Sequence, residues 1–151
     1  DVLAAAAHVR AYALAHAKGM STANCEALRL PAATAVAALE HAPKGVRAAL
    51  EKQLNDVASG TVSADFGANE AALRLLCVRA ELITETPTPP EDLELRREYQ
   101  MQRLVASMGR GERATPADLD DLALEWLAVG PVETTAYEAL AARFGRCRNG
   151  D

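Results

Sequence analysis

The 151-residue chain predicts an all-α fold, a multi-helix bundle of about seven short-to-medium helices joined by short loops. Three observations carry that expectation. Apolar residues recur at i, i+3, i+4 and i+7 along most of the chain. Glycines and prolines fall between these runs, next to residues that cap helix ends. No run alternates at the strand period between hairpin turns. Aromatic residues make up only 4%, so the core is to be built from Leu, Val and much Ala.

The first segment, Val2 to Lys18, is Ala-rich, and Gly19 suits its C-terminal cap. Ser21, Thr22 and Asn24 offer N-caps for a short second helix that runs towards Leu30 and ends at Pro31. Pro31 then begins a third, Ala32 to His41, ahead of Pro43. Lys44 to Val57 places Val46, Leu50, Leu54 and Val57 at helical spacing. Residues 59–69 contain Gly, Ser and Asn and mark a subdomain boundary. Residues 1–60 thus read as an Ala-rich helical subdomain and 68–148 as a second, together one compact domain.

Ala68 to Glu85 is apolar on more than one face, which predicts a central, largely buried helix. TPTPP at residues 86–90 is a stiff linker, and Thr88 stands at capping-box spacing from Glu91. The next helix, Glu91 to about Met108, carries Leu95, Tyr99, Met101, Leu104, Val105 and Met108 as an apolar stripe. Thr115, Pro116 and Asp118 repeat a cap and first-turn pattern ahead of Leu119, Leu122, Ala123, Trp126 and Leu127. After Gly130-Pro131, Val132 to about Arg146 buries Ala136, Tyr137, Leu140, Ala141 and Phe144.

The net charge is −5, and all of the excess lies in residues 76–151, which carry nine basic and fourteen acidic side chains. That balance lacks the overall basic footprint of a nucleic-acid binder. Three unspaced cysteines, Cys25, Cys77 and Cys147, fit a reducing, cytoplasmic compartment better than a disulfide framework. No apolar stretch approaches the roughly 18 residues of a membrane span, and no signal peptide is visible. The chain starts at Asp1 without an initiator Met and is expected to be a fragment of a longer protein or a processed chain.

No cofactor, metal or catalytic residue is expected. His8, His16 and His41 fall in no metal-ligand spacing, and no carboxylate stands beside His8 and His16 in their helix. Cys77 lies in the most apolar helix, where a thiol packs and its pKa rises. Cys147, among Arg143, Arg146 and Arg148, reads as a surface thiol near the terminus. Asp118, Asp120, Asp121 and Glu125 crowd a helix start, where the dipole favours negative charge. Gly109-Arg110-Gly111 with Arg113 is a weak anion-loop pattern.

The sharpest feature is a series of arginines. Arg96, Arg103 and Arg110 recur every seven residues, with Arg113 beyond them. Local carboxylates occupy Arg97 first, which leaves Arg96 and Arg103 the freer cations. Such a stripe engages an acidic partner, or it meets the acidic Asp118–Glu125 helix of the same domain; the second is slightly favoured.

Residues 76–109, LCVRAELITETPTPPEDLELRREYQMQRLVASMG, resemble the C-terminal helical region of bacterial proteins carrying DUF349 repeats. The matching positions are Leu76, Cys77, Arg79, Glu81, Pro87, Pro90, Glu91, Asp92, Arg96, Tyr99, Gln100, Gln102, Arg103, Leu104 and Gly109. The resemblance spans about a quarter of the chain, and residues 1–67 do not show the repeat. It implies the terminal module of a multi-helix bacterial protein and brings no catalytic residues. The expected function is a non-catalytic interaction module with a protein partner, and the alternative is a nucleic-acid-associated regulatory module. Arg96, Arg103, Arg110 and Arg113 are the candidate site of both.

Overall fold

A computed structural model describes residues 2–62, 64–110 and 118–149. They form seven α-helices: α1 (Val2–Ala17), α2 (Thr22–Ala37), α3 (Val46–Ser59), α4 (Phe66–Thr84), α5 (Leu93–Arg110), α6 (Leu119–Ala128) and α7 (Thr134–Asn149). A 3₁₀ turn, Pro90–Asp92, precedes α5. Among the described residues there is no strand, and no helix is long and apolar enough to cross a membrane.

Helices α1, α2 and α3 pack around Ala5, Val9, Ala32, Val36 and Leu50. Ala5 and Ala32 are fully buried, and their small side chains let the α1 and α2 backbones approach closely. Gly19 ends α1 at φ +73°, with the Met20 and Gly19 amides donating to the Ala15 and His16 carbonyls. That is the left-handed glycine cap expected of this position.

Pro31 does not separate two helices. It sits inside α2, which runs unbroken from Thr22 to Ala37. Proline removes one amide donor and costs about 3 kcal/mol in a helix interior. Burial of Ala32 and Val36 against α1 and α3 on the far side of the proline outweighs that cost.

The second core is built on α4, whose Leu73, Leu76, Cys77 and Ala80 meet Leu122 and Trp126 of α6 and Leu140, Phe144 and Cys147 of α7. Trp126 stacks on Phe144 at 4.7 Å between ring centroids, and its indole N–H donates to the Tyr137 hydroxyl at 3.1 Å. Cys147 is buried in this core, so the surface thiol expected near the terminus is absent. The α7 helix continues past Arg146 and carries Cys147 inward on the same face as Leu140 and Phe144.

Helix α6 serves both cores, because Leu124 and Leu127 lie against the first while Leu122 and Trp126 fill the second. Asp118 caps it in a reciprocal capping box with Asp121. The cap expected at Thr115 and Pro116 lies outside the described residues. Two buried amides hold the chain that follows α6: Gln53 donates to the Val129 carbonyl at 3.2 Å and Asn69 to the Pro131 carbonyl at 2.9 Å.

Candidate interaction surface

The root of α5 is a buried ionic cluster. Glu81 on α4 accepts two hydrogen bonds from the Arg143 guanidinium of α7, at 2.7 and 2.9 Å. Arg143 also donates to Asp92 at 2.6 Å, and Arg74 reaches the same Asp92 oxygen at 3.1 Å. Glu81, Asp92 and Arg143 are all buried. Burial by itself lowers the Arg143 pKa, but its bonds to Glu81 and Asp92 outweigh that and hold it raised. Beside the cluster, burial pushes the Cys77 thiol up to about 12, and the thiol donates to the Leu140 carbonyl.

Thr88 joins the proline linker to this cluster. Its hydroxyl donates to Glu81 at 2.9 Å and accepts from Arg96 at 2.9 Å, while Arg96 also donates to the Thr86 carbonyl. Thr88 is therefore not the N-cap partner of Glu91; the 3₁₀ turn intervenes, capped by Pro89. The physical reason is that a buried Glu81 needs its remaining lone pairs filled, and the Thr88 hydroxyl is in reach. Together these bonds set where α5 leaves the body.

The apolar residues of α5 do not share one face. Leu95, Arg96 and Tyr99 are half-buried, but every residue from Met101 to Met108 is exposed. Met101 lies two positions past Tyr99, about 200° round a helix of 3.6 residues per turn. Past Tyr99 no described position of the helix is buried: Gln102 and Ala106 are exposed along with Met101, Leu104, Val105 and Met108. Met108 is 77% exposed and Val105 65%.

Of the four candidate arginines, Arg96 holds the linker as described. Arg103 is exposed, with its guanidinium 5.8 Å from the Tyr99 ring centroid. The Arg110 side chain and all of Arg113 lie outside the described residues, as do Gly111 and with it the anion-loop pattern. The acids of α6 are met by other arginines: Glu125 by Arg79 at 3.1 Å and Asp120 by Arg148 at 3.8 Å. The pairing favoured from sequence, α5 arginines with α6 carboxylates, does not occur among the described residues. The linker and the 3₁₀ turn tie the root of α5 to α4 and α7 instead.

Sequence reasoning missed Glu81, Asp92 and Arg143. One signal was present, a glutamate on the buried side of an apolar helix, which demands a partner. Among the described residues no histidine makes an ion pair, and no group of three or more His, Cys, Asp or Glu side chains is placed to hold a metal. Lined in part by Arg10, Leu73, Trp126 and Tyr137, one cavity of about 30 Å³ holds a water-sized space. Leu82, Gln100, Arg103 and Leu104 line an open groove of about 430 Å³ between α4 and α5.

No family model matches the sequence, and no curated protein or solved structure is significantly similar to it.

Proposed function

We propose that the chain is a non-catalytic helical interaction module of a larger cytoplasmic bacterial protein of the kind that carries DUF349 repeats, and that α5 is its partner surface. The observation that carries this reading is the exposed run Met101 to Met108, four of whose residues are large and apolar, on a helix rooted in a buried ion cluster. An exposed apolar strip on a firmly held element is what an interaction site requires. Arg103 lies within this run and lines the groove towards α4, with Arg110 and Arg113 further along the chain and Arg96 at the base. The partner is a protein with acidic groups facing these cations.

Affinity capture from a bacterial lysate tests this reading, with the intact chain and its Arg103→Glu variant as baits, each with and without nuclease. The expected result is a protein that survives nuclease, is lost with Arg103→Glu, and leaves the melting temperature of the variant unchanged. A captured set that disappears with nuclease points to the nucleic-acid alternative, whose affinity falls steeply with salt. Capture of nothing by either bait removes the interaction-module reading.

A further inference from the structure

We infer that the groove between α4 and α5 binds a small amphipathic anion, whose apolar body lies against Leu82 and Leu104 while its phosphate or carboxylate head pairs with Arg103. This goes beyond the interaction-module reading and stands without it. Gln100, Arg103 and Leu104 fall at i, i+3 and i+4 on α5, so they share one flank of that helix, and Leu82 supplies the α4 wall. The groove encloses about 430 Å³, inside the roughly 300–1,000 Å³ usual for small-molecule sites. Its lining is two aliphatic walls, one amide and one cation. That combination holds a ligand's body by apolar contact and orients it by a few polar groups.

Charge fixes the sign of the ligand. The positions three and four residues from Arg103 are Tyr99, Gln100, Ala106 and Ser107, so its own helix offers it no carboxylate. Among the described residues no acid pairs with it across the fold, and none lines the groove. Two guanidinium groups lie near the Tyr99 ring, Arg103 at 5.8 Å and Arg79 at 6.0 Å from its centroid. Glu125 balances Arg79, which leaves the charge of Arg103 for a ligand. Arg96, about 20° round α5 from Arg103, adds positive charge on the same side, and its bonds go to the Thr86 carbonyl and the Thr88 hydroxyl. A guanidinium fork matches the paired oxygens of a carboxylate or phosphate. A neutral or cationic ligand leaves Arg103 unanswered, and a bare ion leaves both leucines against water.

The test is an amide chemical-shift titration of the isotope-labelled intact chain with octyl phosphate and with octanoate, each below its micelle concentration. Binding is expected to shift the amides around Leu82 and residues 100–104, and the tighter ligand identifies the head group. Arg103→Gln should weaken binding at least about fivefold through loss of a charge-assisted hydrogen bond, and Leu104→Ser severalfold. Both replace exposed side chains and should keep the parent melting temperature. Leu30→Ser, at an exposed apolar position of α2, should bind as the parent does. Octylammonium binding as well as octanoate, or inorganic phosphate as well as octyl phosphate, overturns the inference, because the charge or the apolar body then selects nothing. Shifts centred on other elements, no shifts at all, or undiminished binding to Arg103→Gln also overturn it. A hexaglutamate peptide that binds more tightly than both ligands overturns it in favour of an acidic protein segment. Affinity that falls with Met101→Ser, about 160° round α5 from Arg103, and not with Arg103→Gln overturns it in favour of the apolar run. Lysate capture of a protein partner does not depend on this ligand, so failure here leaves the interaction-module reading in place.

Discussion

At the scale of single residues, Arg143 matters most. It satisfies Glu81 through a bidentate pair and Asp92 through a third bond, in a site that water barely reaches. Removing one partner of a buried ion pair leaves uncompensated charge and costs about 3–5 kcal/mol. Arg143→Met should therefore destabilise the chain by about that much in urea titration, whereas an Arg148→Met control, at an exposed 3.8 Å pair, should stay within about 0.5 kcal/mol. Cys77 next to it predicts a pH effect. Its thiol titrates near 12 in the folded chain against an ordinary 9.0. The folded state thus holds the proton more tightly, so this contribution to stability is complete below about pH 9 and is lost as pH rises towards 12. Melting curves of the parent and Cys77→Ala across that window should converge in the alkaline direction; parallel curves refute the assignment. Cys77 was legible as a buried thiol because its neighbours in sequence are apolar. Cys147 was not, because its neighbours in sequence are arginines while its neighbours in space are Leu140 and Phe144.

At the scale of elements, α2 and α5 show the two ways in which helix rules yield to packing. Local propensity ends a helix at Pro31, yet α2 continues, with the Ala27 carbonyl deprived of an amide donor four residues on. Pro31→Ala restores the donor at an exposed position and should stabilise the chain by about 1–2 kcal/mol, after allowance for the greater freedom of the unfolded chain. A fall in melting temperature for that variant would show that the proline's fixed backbone, and not the packing of Ala32 and Val36, holds α2 together. In α5 the existence of the helix and its start near residue 91 were readable from period and prolines. The orientation of its apolar residues was not. The period already sets Met101 about 200° round the helix from Tyr99, so one stripe could not hold both, but only the structure shows that the Leu95 and Tyr99 side is the one that is half-buried.

At the scale of the whole molecule, α6 and Tyr137 join the core around α4 to the helices around Ala5 and Leu50. Arg10 of α1 lies 3.7 Å over the Tyr137 ring centroid and donates to its hydroxyl at 2.8 Å, and Trp126 donates to the same oxygen. Trp126 is the chain's one tryptophan and belongs to the core around α4, while most helical residues outside that core lie in α1 to α3. Urea unfolding followed by tryptophan fluorescence and by far-ultraviolet dichroism should give coincident transitions. Displaced midpoints would mean that the helices around Ala5 and Leu50 unfold separately from those around Leu73 and Trp126. By itself the sequence determined the all-α class, most helix boundaries, the burial of Trp126 and the central place of α4, because these follow from periodicity and local caps. Only the tertiary structure decided that Arg96 and Arg143 work inside the fold while Arg103 remains outside, and that the apolar run of α5 faces away from the body. The reason is range. A cap or a period is written within a few residues, but the partner of a charge and the cover of an apolar face come from elements distant in the chain, as Glu81 and Arg143 are 62 positions apart.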